Sequence, residues 1–530
     1  MILALVALAL VLGVPYFEAL RNANERPRLL QGMALVDCGQ WAIDGPSARG
    51  LSPGPDVSRS PVDNRLYPNK PPMTSLVAAL AYRIGQVGDA PTLRSYTVWA
   101  RLLGGWLPTV LLCFWFWRRL APKLGAAPVA AAIAIYALAT PAASYAHLLY
   151  GHQLAAAFLL TGSLLVVDAV LRRQRFWAAI GASLAALSIT VEYGAVFAGL
   201  PLALFLLLAL ARGGRGALPA VAAAALAAVV PMILLAAYHA AVFGSPWATG
   251  YHHVINPDFA AKHGQGLLGL GLPRIAGIHE QIFAADTGLL WWAPLCPVAL
   301  FGLVGLSRRV DDPILQAEAR VLFAMLLLFM LLTVSLSFTG GWRVGPRYLV
   351  VVLPAMIPGL AWLLRECRRR TVIFTALVAL ATWSLVVNGL AANLWPHIDP
   401  TNVDFPLAEV LVPLARAGAE PYDLLSVSGV GDLPLAAIVA MASVVSVVGG
   451  LLWVVCGQRS GIGAVVLGVG IGLVGVGASL RLPAHPRAAA NLAYIQRVWE
   501  PEEGAANLSV ELKNTDKGPN WCGSADHYAD

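Results

Sequence analysis

The feature that most constrains this chain is the recurrence, along nearly its whole length, of apolar runs long enough to cross a lipid bilayer. A helix needs about 20 such residues to traverse a hydrocarbon core about 30 Å thick. Inside that core a helix satisfies its own N–H and C=O groups, which open extended segments cannot do. Measured this way, spans fall at 2–20, 94–117, 126–148, 151–171, 177–191, 194–211 and 217–243. Others fall at 287–306, 321–338, 347–364, 371–394, 433–457 and 461–481. The expected fold class is an all-α polytopic membrane protein with about thirteen transmembrane helices. Charged residues make up only 12% of the chain, against roughly 25% in soluble domains. The run Ile2–Gly13 reads as a span rather than a signal peptide. It lacks a basic start, and Pro15-Tyr16-Phe17-Glu18 is a poor cleavage site.

The net charge of +7 is spread over short loops, which speaks for topology and against nucleic-acid binding. Arg118, Arg119 and Lys123 fall together, as do Arg172, Arg173 and Arg175, then Arg212 and Arg215. Arg308 and Arg309 follow, and later Arg365, Arg368, Arg369 and Arg370. These clusters recur at every second loop, so they mark the cytoplasmic side and place the N-terminus there. The loops 21–93, 244–286, 339–346 and 395–432, and the tail after 482, then face outward. The expected location is a bacterial inner membrane.

The outward loop 21–93 is far longer than a helix connection needs. It includes an amphipathic stretch, Met73–Ile84, suited to the membrane surface. Long ordered loops on one face are where function concentrates. Cys38 and Cys522, both outward, are candidates for a disulfide between loop and tail; two unrelated thiols are the alternative. The remaining cysteines show no zinc-module spacing.

Asn24-Glu25-Arg26 directly follows the first span. A carboxylate there suits a general base toward an incoming hydroxyl, though an ordinary hydrated helix end with a Glu–Arg pair has the same sequence. Tyr67-Pro68-Asn69-Lys70-Pro71-Pro72 fixes a lysine between prolines. Such an ammonium suits a lipid-linked phosphate, and it equally suits simple snorkelling. Arg343 and Arg347 in Gly340-Gly341-Trp342-Arg343-Val344-Gly345-Pro346-Arg347-Tyr348 offer planar donors for phosphate oxygens. Two outward arginines depart from the sorting pattern, which favours function. Trp342 and Tyr348 fit either a sugar face or the interfacial aromatic belt. His152 and Glu192 occupy neighbouring outward turns, where ionisable groups at shallow membrane depth are candidates for a pocket. His252, beside His253, suits a metal or phosphate contact, or an ordinary surface position.

Taken in order, Asn24-Glu25, then Gly39-Gln40-Trp41-Ala42-Ile43-Asp44, Tyr67-Pro68-Asn69-Lys70-Pro71-Pro72 and Gly340–Tyr348 resemble the GT-C superfamily of membrane glycosyltransferases. The likeness is to the bacterial branch of aminoarabinose and protein mannosyl transferases, and it covers residues 1–365. It implies a catalytic module over 1–365, C-terminal transmembrane helices over 366–481, and an extracytoplasmic tail over 482–530. It implies a donor sugar on a polyprenyl phosphate, an outward-facing lipid, glycan or protein acceptor, and inversion at the anomeric carbon. Lys70, with Arg343 or Arg347 and neighbours Asn69 and Tyr67, would hold the donor phosphate; Glu25 would be the base. The group usually has aspartate where Asn24 stands, so Asp37 and Asp44 are the other carboxylates in view. Some members use a divalent metal; no ligand set for one stands out here. The competing expectations are a lipid-linked-sugar flippase and a non-catalytic membrane scaffold. The absence of paired, Gly/Pro-broken spans in two halves speaks against the former.

Overall fold

The computed structural model describes residues 1–14, 22–48, 51–87, 92–266, 269–337, 340–395, 398, 401–418 and 435–498. Seven helices among them are long and apolar enough to cross a membrane. They are Ser95–Leu124, His152–Leu171, Ala195–Gly216, Leu218–Phe243, Pro313–Val334, Thr371–Leu394 and Arg459–Ser479.

Several other expected spans are interrupted, and proline is the recurrent reason because it lacks an N–H and clashes with the preceding turn. The run 126–148 divides at Thr140-Pro141 into Ala126–Leu138 and Ala142–Ala146. The run 287–306 divides at Ala293-Pro294 into Leu289–Trp292 and Leu295–Arg309. The run 347–364 opens as 3-10 turns, Arg347–Val351 and Leu353–Ala355, before the helix Met356–Cys367. The run 321–338 begins earlier, at Pro313, because Asp312 caps the helix by accepting from Ile314 and Leu315 N–H.

Alanine is prominent in the core alongside leucine and valine. From Pro128 to Leu138 every residue of Ala126–Leu138 is buried, and alanine lets neighbouring backbones approach closely. At one end of the bundle the basic loops meet acidic partners. Lys123 Nζ lies 2.7 Å from Asp312, Arg172 Nε 2.8 Å from Asp168, and Arg119 pairs with buried Glu318. The loops sorted together by charge therefore also converge in space.

The long segment after the first helix folds into helices Arg26–Cys38, Asp44–Ala48 and Met73–Gly85 with one small antiparallel hairpin, Val57–Arg59 against Leu66–Pro68. Asn64 stands at the hairpin turn with φ of 60°, a conformation asparagine tolerates better than most residues. Leu76 and Leu80 of Met73–Gly85 point outward, as a surface helix on a membrane requires. Cys38 is disulfide-bonded; its candidate partner Cys522, residues 396–397, 399–400 and 419–432 of the loop 395–432, and the tail beyond Val498 lie outside the described residues.

Candidate active site

The hairpin sets the geometry of the site. Its register pairs Val57 with Pro68, and the next rung is a hydrogen bond from Asn69 N–H to the Asp56 carbonyl at 3.1 Å. Asp56 is thus held directly across from Asn69-Lys70, and Pro71-Pro72 stops the strand and starts the helix Met73–Gly85. The segment 250–253 closes over this edge. Ser58 Oγ donates to the Gly250 carbonyl at 2.6 Å, and a Cβ at Gly250 would come 2.6 Å from Asn69 Cα, so only glycine fits. That contact delivers Tyr251, whose hydroxyl accepts from Lys70 Nζ at 2.7 Å. Tyr251 in turn stacks on His263, ring centroids 4.2 Å apart.

A second set of contacts brings in the distant turn 340–348. Tyr150, just before the helix His152–Leu171, accepts from Asn22 Nδ2 at 2.5 Å and donates to the Trp342 carbonyl at 3.2 Å. Arg347 donates to the Tyr348 hydroxyl at 3.1 Å, and its guanidinium lies 4.9 Å from the Tyr348 ring centre. Its Nε is buried with no hydrogen-bond partner among the described residues. Gly340, at φ of 101°, leaves room for that guanidinium: a Cβ there would sit 2.9 Å from Arg347 Nε.

The result is a cavity of about 190 Å³ lined by Asn22, Asn24, Asp56, Lys70, Lys262, His263, Trp342, Arg347 and Tyr348, among others. His263 and Tyr348 also line an adjoining groove of about 260 Å³. That groove is largely apolar, with Val196, Phe197, Phe329, Leu332 and Leu336, and carries His152 and Glu192 at its polar end. Glu192 lies 3.4 Å from Arg28 and 3.5 Å from His152 Nδ1. Lys70 and Arg347 are both buried, while the Asp56 carboxylate enters no hydrogen bond or close ion pair among the described residues. Burial lowers the pKa of the Lys70 ammonium; Tyr251 and Asp56 more than offset this, and the net shift from 10.5 is upward. Lys70 therefore keeps its charge at neutral pH.

Several expected site residues stand elsewhere, each for a visible reason. Glu25 is not at a hydrated helix end. It is buried, accepting from Arg101 Nε at 3.0 Å and Nη2 at 2.7 Å, and from Leu149 N–H at 2.7 Å. Asp37 accepts from Tyr82 and Gln86 between two loop helices. Asp44 accepts from Leu66 N–H at 2.9 Å, anchoring the hairpin, and burial raises its pKa. Arg343 is pinned by Asp286 at 3.4 Å, by Thr287 and by the Gly340 carbonyl, away from the cavity. Tyr67 donates to Asp63, exposed His252 bonds only locally to Thr249, and Asn69 is buried behind the cavity edge. The residues brought together are Asn24, Lys70, Arg347 and Tyr348 on the cavity, with His152 and Glu192 on the groove. Sequence reasoning missed Asp56; its signal was the turn Asp63-Asn64 between two short alternating runs, whose pairing sets Asp56 beside Lys70. Among the described residues no three His, Cys, Asp or Glu side chains converge on a metal position.

No family model matches the sequence, and no curated protein matches it. Solved structures do resemble it. Arabinosyltransferase EmbB from Mycobacterium smegmatis is 16% identical with a TM-score of 0.45, over 94% of this chain and 40% of that one. This chain thus spans well under half of that protein's length. ArnT from Cupriavidus metallidurans bound to undecaprenyl phosphate is 15% identical with a TM-score of 0.42, over 94% of this chain and 88% of that one. Its apo form gives 16% and 0.44 with the same coverage. Likeness of this degree assigns no role to any residue.

Proposed function

We propose that this protein is an integral-membrane glycosyltransferase that moves a sugar from a polyprenyl-phosphate donor to an extracytoplasmic acceptor, with inversion. The supporting observation is the shared wall: a cavity holding buried Lys70 and Arg347 has His263 and Tyr348 in common with an adjoining, largely apolar groove. A phosphate with a hydrocarbon tail matches that pair of compartments, charge to charge and chain to groove. Under this reading the site faces outward from a bacterial inner membrane, and the catalytic module comprises residues 1–365.

In the step envisaged, the acceptor oxygen attacks the anomeric carbon as the bond from that carbon to the phosphate oxygen breaks. The phosphate leaves with the electron pair and passes from one negative charge toward two. Lys70 and Arg347 offset charge that grows in the transition state, in a setting drier than bulk water. The acceptor proton passes to a carboxylate on the cavity wall. Asp56 is the carboxylate that fits, since it lines the cavity and its oxygens are not already engaged. Glu25, its oxygens held by Arg101 and Leu149, is a positioning residue that locks the loop to the bundle.

Asparagine at position 24 keeps the scaffold reading in view, and one experiment separates the readings. Purified protein in detergent is given polyprenyl-phosphate sugars and an envelope extract from the source cells, and donor loss is followed by mass spectrometry. Detergent abolishes compartments, so a flippase has no work to do. Donor consumption by the wild type and not by Lys70→Ala at low donor supports the transferase. No consumption across the extract fractions, with donor still bound, points to a flippase; no binding either points to a scaffold.

A further inference from the structure

At the opposite end of the bundle, among the basic loops, lies a cavity of about 490 Å³ between the helices His152–Leu171, Ala195–Gly213 and Pro313–Val334. Its lining includes Arg173, Arg212 and Arg320 and no carboxylate. None of the three arginines forms an ion pair among the described residues, although Arg119, Lys123 and Arg172 nearby all do. Arg320 sits two turns inside its helix, yet its Nη2 donates to the Ser307 carbonyl at 3.1 Å, near the basic end of Leu295–Arg309. The side chain thus snorkels back and gathers its charge with the others. Away from the arginines the walls are apolar, with Leu204, Leu208 and Ala324. Along Pro313–Val334 the lining runs from Pro313 to Ala324, about 16 Å of helix at 1.5 Å per residue.

We propose that this groove binds an anionic phospholipid of the leaflet on the basic-loop side, its headgroup phosphate among Arg173, Arg212 and Arg320 and an acyl chain along Leu204, Leu208 and Ala324. Charge complementarity selects the headgroup, and the apolar walls select a lipid over a soluble anion. The groove's polarity gradient also matches the direction in which a phospholipid lies in a bilayer. The three arginines are exposed at the cavity's edge and lack an acidic partner among the described residues, so an anion can reach them, and anionic headgroups are the anions concentrated at that depth. The site is separate from the proposed active site and does not depend on the chemistry there.

The test is native mass spectrometry of the full-length protein in a mild detergent, titrated with phosphatidylglycerol or with phosphatidylcholine of the same acyl chains. The expected result is a saturable, preferential first binding of phosphatidylglycerol. Each arginine at an anionic headgroup is worth about fivefold, so Arg173→Gln, Arg212→Gln and Arg320→Gln combined should weaken that binding about a hundredfold. Because removing basic residues from these loops also perturbs insertion, Ala324→Trp provides a second handle: it fills the acyl track, leaves all three charges, and should abolish the preference. Equal binding of the two lipids overturns the proposal. So does a preference that survives both Ala324→Trp and the triple change. Displacement of phosphatidylglycerol by millimolar inorganic phosphate alone would make this a soluble-anion site instead, and overturn it equally.

Discussion

Replacing Asp56 by asparagine and Glu25 by glutamine, each nearly isosteric, should produce opposite phenotypes. Glu25 is buried with its carboxylate held by two Arg101 contacts, at 2.7 and 3.0 Å, and by Leu149 N–H at 2.7 Å. Their side chains are 3% and 5% exposed, so the charges have little water to fall back on. Removing one partner of such a pair strands the other and costs about 3–5 kcal/mol. Glu25→Gln should therefore unfold much earlier in detergent, while the fraction that remains folded at low temperature still turns over. The Asp56 carboxylate enters no hydrogen bond or close ion pair among the described residues, so Asp56→Asn should leave thermal unfolding near that of the wild type. Loss of a general base reduces rate by about 10²–10⁴, or about 3–5 kcal/mol in the barrier at 1.36 kcal/mol per decade. Unfolding is read by scanning fluorimetry and turnover by loss of the polyprenyl-phosphate sugar. The reasoning is refuted if Asp56→Asn turns over normally, or if Glu25→Gln is as stable as wild type and inactive. The second result would return the base to Glu25.

Four further outcomes are expected. Lys70→Ala should weaken donor binding by at least tenfold, a floor of about 1.4 kcal/mol for a buried charge-assisted contact to phosphate. Since the Lys70 pKa is shifted upward from 10.5, the ammonium stays charged as pH rises from about 7 to about 9. Its contribution to donor affinity should be flat over that range, and lost only as pH passes the raised value. A Lys70-dependent fall in affinity by about pH 8.5 would contradict the assignment. Gly340→Ala, at φ of 101° and with its Cβ 2.9 Å from Arg347 Nε, should displace Arg347 and reduce turnover while the protein still folds; unchanged kinetics would remove Arg347 from the site. At the far end, Arg119→Met leaves buried Glu318 without its cation and should cost about 3–5 kcal/mol of stability, read as an earlier unfolding transition with donor affinity preserved.

The sequence by itself determined the class of molecule. Apolar runs such as 371–394 and 217–243 leave a membrane-spanning helix as the form that satisfies their backbone, and the helices Thr371–Leu394 and Leu218–Phe243 follow. It also marked Lys70, Arg347 and Tyr348, because prolines and glycines around charged residues betray a backbone held for a purpose. The hydropathy of the runs 126–148 and 287–306 did not reveal that their helices part at Thr140-Pro141 and Ala293-Pro294.

Tertiary structure alone decided which carboxylate is available. Asn24-Glu25 shows that an acid sits near the membrane surface, but not which way it points. The answer depends on Arg101, 76 residues later, which draws Glu25 inward while Asn24 faces the cavity. Asp56 reaches the site through a strand register, and Arg343 leaves it through Asp286, another partner distant along the chain. For Glu25 and Arg343 the physical reason is the same: in a buried setting an ionisable side chain goes where its counter-charge is, and counter-charges are placed by packing rather than by neighbours in sequence; Asp56 is placed instead by backbone pairing.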